Sequence, residues 1–498
     1  MVIYSKFNQH DSILMQNPPH IHPPTLPIFF ATEMWERYGF YVVQTLLALY
    51  LALHFHWQDK DVYALVGSFT ALTYISPVIG GWIADHLLGQ KRAILTGAVV
   101  LLASYLVLSL LHKDQVLTAA LAGIAVGTGL LKPNISSLLG NEYPVGSPSR
   151  ESGFTIFYMG ITTGIILGTT IPSYLHEYFG WSTAFFSAAI GLAIGIVTFT
   201  FGIYYYAIQD YHPFEFKFKK ILLAVVMMFL LWLVSFYTLN SPQTANTLFL
   251  TVVLLTFAYL WYCIATESKT QAYQTMVIAL LCIISVMFWA FYFQMFLSLT
   301  LFIVRVVQPK FFGISFAPPY YVGIQSFGMI LFGLLLSRQK KPLTHLQQTI
   351  RSGNKFLLAM LMMLISYSLI TLFSHMGSPE TLLSPWAIIP AYLIFSLAEL
   401  LLSPVGLSAM TTLASPKKVS TMMGIFLVSL GIGGFLSGKL AQLTAIPVGE
   451  TSIAALKSHY TNAFGTLLCI LFAATLVCVV INYFIKKLMV KSSVINDR

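Results

Sequence analysis

Apolar runs of about 20 residues, separated by short polar stretches, recur from residue 27 to residue 486. A helix of that length crosses the ~30 Å hydrocarbon core of a bilayer. The pattern predicts spans near 27–54, 62–84, 92–111, 117–139, 153–174 and 183–208. Two more follow near 219–239 and 246–266, and six near 275–305, 319–337, 355–374, 386–413, 420–441 and 462–486. That makes about fourteen helices, with Trp and Tyr near several ends as interfacial anchors. Composition agrees. The 498 residues are 57% hydrophobic and 9% charged, whereas soluble chains carry about 25% charged residues. The expected fold is an all-α integral membrane protein.

The spans divide as six, two and six. This predicts an N-terminal segment at 1–26, a six-helix bundle at 27–211 and a two-helix insertion at 212–270. A second six-helix bundle at 271–488 and a tail at 489–498 complete the chain. The basic residues set the orientation. With the N-terminus in the cytoplasm, the inner loops receive Lys91, Arg92, Arg150, Lys217, Lys219, Lys220, Lys269, Arg338, Lys340, Lys341, Arg351, Lys355, Lys417 and Lys418. The tail adds Lys486, Lys487, Lys491 and Arg498. The excess of Lys and Arg on one side fits cytoplasmic termini. It also accounts for the net charge of +10 without nucleic acid as a partner. The first 24 residues lack the basic, apolar and small-residue pattern of a signal peptide.

Ionisable residues interrupt the apolar pattern at three places. Glu33, Glu36 and Arg37 lie in the first span. At 100° per residue they share an arc of roughly 140° with Tyr41, while Trp35 and Tyr38 project elsewhere. Each charge at the centre of a span costs about 2.5–3.5 kcal/mol on insertion scales. Such residues therefore face a polar cavity or a partner. Lys132 in the fourth predicted span and Glu399 in the later half are the other two sites. Each needs a partner, and a Lys132–Glu399 pair between the halves could form in one conformation and break in another. Cations and carboxylates on opposing halves suit a zwitterionic ligand, and titratable carboxylates beside a cation suit proton coupling.

Other chemistry finds little support. The four cysteines (Cys263, Cys282, Cys469, Cys478) lie in apolar segments without a CxxC pair, which reads as packing. His20 with His22, and His54 with His56, read as polar residues rather than metal ligands, so no metal site is expected. The sequon at Asn134 falls inside a span, which argues against glycosylation. Neither HExxH nor GxSxG occurs, so an intramembrane enzyme is disfavoured. No GxxxxGK[ST] loop is present, so ATP is not the expected energy source.

The motifs resemble those of the proton-dependent oligopeptide transporters of the major facilitator superfamily. Glu33-x-x-Glu36-Arg37-Tyr38-x-Phe40-Tyr41 is similar to that family's ExxERFxYY signature. Gly80 to Asp85 with Gly89 to Arg92 resembles the superfamily's loop between spans two and three. Gly129 to Leu138 resembles the family's fourth-span motif, Phe154 to Met159 its fifth span, and Glu399-Leu400 with Ser403-Pro404-x-Gly406-Leu407 its tenth. The two extra helices between the halves and the short loop near 375–385 resemble the bacterial branch.

This resemblance implies two six-helix bundles with two inserted helices, in a bacterial cytoplasmic (inner) membrane. It implies a proton-coupled symporter importing di- and tripeptides by alternating access, with protons as the coupling ion and no cofactor. The lipid bilayer is the other expected partner, and no obligate protein partner is evident. Glu33, Glu36, Arg37 and Lys132 would carry proton coupling. Arg37 and Lys132 would also receive a peptide's carboxylate, and Glu399 its amino terminus. Tyr41, Tyr74, Tyr158 and Ser403 would line the pocket. The sequence also departs from the family pattern, at Tyr38 and Phe40 in the signature and, in the pocket, at Thr162 and Gln325 for two Asn, Phe426 for a Trp, and Phe293-Gln294 for Glu-Gln. A family Arg–Asp pair appears as Gln44 and Val304. The alternative cargo is therefore a non-peptide solute, drug-like or a modified amino compound, carried by the same fold. A non-transporting nutrient receptor is a further alternative.

Overall fold

The structure, a computed structural model, describes residues 22–496 apart from 111–112, 145–146, 148, 211–216, 337–344, 377, 416 and 448. Most of the expected N-terminal segment at 1–26, with His20, therefore lies outside the described residues, as do Arg338, Lys340, Lys341 and Arg498.

Helix α1 (Leu26–Leu49) continues through a π turn at Tyr50–His54. α2 is Asp59–Ile83, α3 Gln90–Leu110 and α4 Asp114–Asn141. α5 runs over Ser149–Tyr205. A straight helix of that length would be about 85 Å long, far beyond one bilayer crossing. Gly180, at φ 83° and ψ 178°, breaks it into two arms, which match the two spans expected at 153–174 and 183–208. The left-handed φ explains the glycine. α6 (Phe218–Asn240) and α7 (Pro242–Thr266) form the inserted hairpin. α8 (Lys269–Tyr292) gives way to a 3₁₀ turn at Phe293–Phe296 and then to α9 (Ser298–Val306). α10 is Pro318–Leu336, α11 His345–His375, α12 Ile389–Leu413, α13 Val419–Ala441 and α14 Ile453–Asn496.

Among the described residues, eleven helical stretches are long and apolar enough to cross a membrane, and one of them is the two-armed α5. Together with α1 and α10 they give the expected fourteen crossings. Several helices overrun their apolar cores. α11 begins ten residues before the expected 355, and α14 continues to Asn496, so helix replaces the expected tail over 489–496. Polar residues at a helix end keep the i→i−4 hydrogen bonds after the apolar pattern has stopped. The stretch after α9 holds a small β-hairpin, with β1 (Lys310–Phe311) paired antiparallel to β2 (Ile314–Ser315). Its turn has positive φ at both Phe312 and Gly313, the twist that two-residue hairpins favour.

Each half has its own hydrophobic core, one built mainly on α1–α5 and the other on α8–α14. Across the halves, α2 packs along α13 and α10 packs on α5. The inserted hairpin touches both halves. α6 lies against α4 and α2, and α7 against α8, and Trp232 Nε1 donates to the Ala119 carbonyl at 3.1 Å.

The α2–α13 seam depends on small residues. A Cβ added to Gly67 would lie 2.7 Å from Gly438 Cα, where the obstacle is backbone and cannot rotate away. Gly67→Val should cost about 1–3 kcal/mol and lower the melting temperature of the purified protein. The same substitution at Gly333, which has nothing within 4 Å, should leave that temperature within a degree or two.

Candidate functional site

Helix α1 places Glu33 and Arg37 one turn apart, with Glu36 beside them. All three are nearly inaccessible, at 2%, 3% and 0% exposure. Arg37 grips Glu36 with two N–H groups, from Nε to Oε2 and from Nη2 to Oε1, the latter at 2.6 Å. Its Nε lies 3.4 Å from Glu33 Oε1, and Glu33 Oε2 has no hydrogen-bond partner. The guanidinium also sits over the Phe40 ring, 4.9 Å from the centroid. Phe40 is thus the lid on the cation rather than a missing hydroxyl. The hydroxyl that Tyr38 brings is taken up elsewhere, donating to Ser187 Oγ at 2.8 Å. Lys132 on α4 rests its ammonium over Tyr74, 4.6 Å from the ring centroid.

Glu399 on α12 is the charge of the other half. Its Oε2 accepts from the Tyr292 hydroxyl and from Gln325 Nε2, the latter at 2.8 Å. Ser396 steadies that arrangement by donating to the Gln325 carbonyl at 2.6 Å. Tyr292 is the last residue of α8, just before the break at Phe293–Phe296. Interrupted helices at mid-membrane are tolerated where the backbone is buried in protein or lines a cavity. Here the break carries Phe293 against Tyr74, at 5.5 Å between ring centroids, and Phe296 against Tyr41, at 6.3 Å. Rings from both halves therefore meet beside Lys132 and Glu399.

The expected site residues separate into two sets. Arg37, Tyr41, Tyr74, Lys132, Tyr158, Gln325 and Glu399 gather around the contact of the halves. Tyr158 is 47% exposed and Ser403 is half-buried. Thr162 is buried, with its hydroxyl spent on the Tyr158 carbonyl at 3.2 Å. Two expectations change. Gln294 is fully buried. Its amide donates to Ser437 O and Oγ at 2.8 and 3.1 Å and accepts from Ser298 at 2.6 Å. It braces the break against α13. Phe426, 1% exposed, packs on Gly406 inside the core of its half. The expected Lys132–Glu399 pair is also not formed. Among the described residues no ion pair joins the two, because Tyr292 and Gln325 satisfy the carboxylate locally.

The ion pair that does join the halves is one that sequence reasoning missed. Asp59 at the start of α2 takes Arg305 of α9 in a bidentate grip, at 2.7 and 2.8 Å. Asp59 Oδ2 also accepts from the Ile446 N–H at 3.1 Å, and Arg305 donates to the Tyr460 hydroxyl at 2.9 Å. Leu297 and Leu301, next to the break, belong to the hydrophobic core of the first half. The halves are thus latched at the end where α1 finishes and α2 begins. The signal available in the sequence was two opposite charges, each at a span end and 246 residues apart. Nothing local links them.

Two helical bundles meeting at buried charges near mid-membrane, with a broken helix and a latch at one end, define a multi-pass membrane transporter. Comparison with known proteins agrees. The POT family profile matches residues 91–455. Dipeptide and tripeptide permease B of Edwardsiella piscicida is 30% identical, over 90% of this chain and 91% of that protein. Dipeptide and tripeptide permease A of Salmonella typhimurium is 29% identical, over 86% of each. Among solved structures, the peptide transporter POT in complex with sulfate aligns with a TM-score of 0.81 at 26% identity, covering 94% of this chain and 96% of its own. A structure of a proton dependent oligopeptide transporter shares the fold at a TM-score of 0.79 and 23% identity, over 93% of this chain and 99% of its own. The chain belongs to the POT family.

The latch generates a prediction. Asp59→Asn or Arg305→Gln should remove about 1.5–3 kcal/mol of charge-assisted hydrogen bonding. Spin labels at exposed Lys60 and Lys310 should then report longer and broader distances than in the parent. Reversing the charges together, Asp59→Arg with Arg305→Asp, should narrow the distribution again.

Proposed function

We propose that this protein is a proton-coupled symporter that imports di- and tripeptides by alternating access. The observation that carries the reading is the placement of Arg37 and Lys132 on one half and Glu399 on the other, in a chain related to dipeptide and tripeptide permeases. A peptide's carboxylate would meet the two cations. Its ammonium would displace Tyr292 or Gln325 from Glu399. Tyr41, Tyr74, Tyr158 and Ser403 would line the remainder of the pocket.

Proton coupling follows from the unequal carboxylates of α1. Glu36 is chelated by Arg37, whereas Glu33 has one longer contact and one unpartnered oxygen. Glu33 is therefore the group with an oxygen free to take a proton. Protonation would loosen its hold on Arg37, and that would free the guanidinium for a substrate carboxylate. The excess of basic residues in alternate loops supports cytoplasmic termini. On that orientation the Asp59–Arg305 latch closes the outer side and the exposed Tyr158 faces inward, in a bacterial inner membrane. Segments 27–211 and 271–488 are the rocking halves, and 212–270 bridges them. A proton moving inward down a 100 mV potential supplies about 2.3 kcal/mol. The non-peptide alternative loses ground because the relatives are dipeptide and tripeptide permeases.

Proteoliposomes with an alkaline interior should accumulate labelled dialanine above equilibrium, and a collapsed gradient should stop it. Absence of gradient-driven uptake would sink the reading. Separately, Glu33→Gln should abolish accumulation, at least tenfold in initial rate, while counterflow exchange of labelled for unlabelled dialanine persists. Equal loss of both activities would remove Glu33 from the coupling role.

A further inference from the structure

The inserted hairpin leaves a window where it faces the second half. Helix α7 is fastened to α13 at two heights. At one end, Lys418, which precedes α13, donates to Glu267, just past α7, at 2.8 Å. Toward the other end, Phe249 of α7 meets Phe435 of α13 at 4.4 Å between ring centroids. Between these contacts the two helices stand apart, and α8 forms the back of a groove of about 460 Å³. Val253 and Phe257 of α7, Cys282 and Val286 of α8, and Ile425 and Leu436 of α13 line it. Its hydroxyls are already engaged: Ser429 bonds Ser285 at 2.8 Å, and Thr256 donates to the Val252 carbonyl at 2.7 Å. The groove therefore offers hydrocarbon alone. Its rim residues Leu250 and Phe257 are 60% and 65% exposed, so it opens toward lipid.

Length and charge name the occupant. From Asn246 to Leu260 the groove follows α7 for about 21 Å at 1.5 Å per residue, more than the ~15 Å of one leaflet's hydrocarbon. A whole acyl tail fits lengthwise. At the latch end of the groove stands a cation. Lys439 is in the last turn of α13, one turn beyond Phe435, with its ammonium 5.4 Å from that ring's centroid. Among the described residues no carboxylate pairs with it. A neutral tail would leave Lys439 unanswered, and a free phosphate would leave the groove unfilled. A lipid with a negatively charged headgroup meets both.

We propose that the groove between α7, α8 and α13 is a binding site for an anionic phospholipid, with one acyl tail along Val253 and Val286 and the headgroup phosphate on Lys439. The tail supplies packing that the hairpin lacks, since α7 buries only Ala245, Phe249, Leu260 and Cys263 of its own residues. In hydrocarbon such packing contacts, rather than the hydrophobic effect, hold helices together. The lipid thus fastens the hairpin to the second half between its two protein contacts.

The test uses the purified full chain, stripped of lipid by detergent washing. Dioleoyl phosphatidylglycerol and dioleoyl phosphatidylcholine are titrated separately, with bound lipid counted by native mass spectrometry and read by the thermal-stability shift. In the parent the phosphatidylglycerol should bind about fivefold tighter, the factor that one Lys beside an anionic headgroup supplies. Glycerol phosphate, a headgroup without tails, should give no shift. Lys439→Gln should bring the two lipids within twofold of each other, and Lys439→Arg should keep the preference. Val253→Trp, which fills the groove, should weaken both lipids at least fivefold. Leu254→Trp, on α7 outside the groove, should bind both as the parent does. Equal binding of the two lipids by the parent would overturn the proposal, as would a shift with glycerol phosphate alone or parental binding in Val253→Trp. The parental comparison decides the matter even if a variant fails to fold. None of these readouts depends on whether dialanine is transported, so the lipid site and the transport reading can fail separately.

Discussion

A charge inside hydrocarbon must be met by an opposite charge or by hydrogen bonds, and this requirement organises the molecule. Arg37 is met by Glu36 and Glu33, one turn of helix away or less. Glu399 is met by Tyr292 and Gln325, from the end of α8 and from α10. Asp59 and Arg305 meet each other across the halves. Lys132 has the electron-rich face of Tyr74, a weaker partner than a carboxylate. The α1 charges settle among themselves, whereas Glu399, Lys132 and the Asp59–Arg305 pair each constrain where another helix can lie.

The same demands leave one strong contact between the halves near a span end, the Asp59–Arg305 pair. A latch built from two ions at span ends can open to water without leaving a charge in lipid. Behind it, α9 is a short arm jointed at residues 293–297, with Leu297 and Leu301 packed into the opposite half. Glycines on the α2–α13 seam let the two helices approach closely over a long stretch. The inserted hairpin touches α4 and α2 on one side and α8 and α13 on the other, and so ties the halves together alongside the seam. The broken helix, the seam and the latch all bear on the gap where the charged residues gather.

Much of this was legible beforehand because lipid imposes a simple grammar. Apolar runs of span length must be helices, since only intrahelical hydrogen bonds satisfy the backbone in hydrocarbon. That reasoning located the spans, and the anomaly of ions within them located Glu33, Glu36, Arg37, Lys132 and Glu399. It misjudged helix ends, because polar turns continue past the membrane, as in α14. It also placed Gln294 and Phe426 in the pocket. Whether a span residue faces the gap or the core depends on a few tens of degrees of helix rotation. At the 293–297 break, that rotation no longer follows the 3.6-residue period.

By itself, then, the sequence determined the membrane class, the fourteen crossings and the identity of the ions that must be neutralised. Local chemistry sufficed for these, because hydrophobic length and the cost of burying charge are properties of single segments. The tertiary structure alone decided which ion answers which. Asp59 found Arg305 across 246 residues, Glu399 found Tyr292 and Gln325 in place of Lys132, and the Phe293 ring met Tyr74 across the halves. Such pairings depend on the rotation and depth of helices packed side by side, which no single segment encodes.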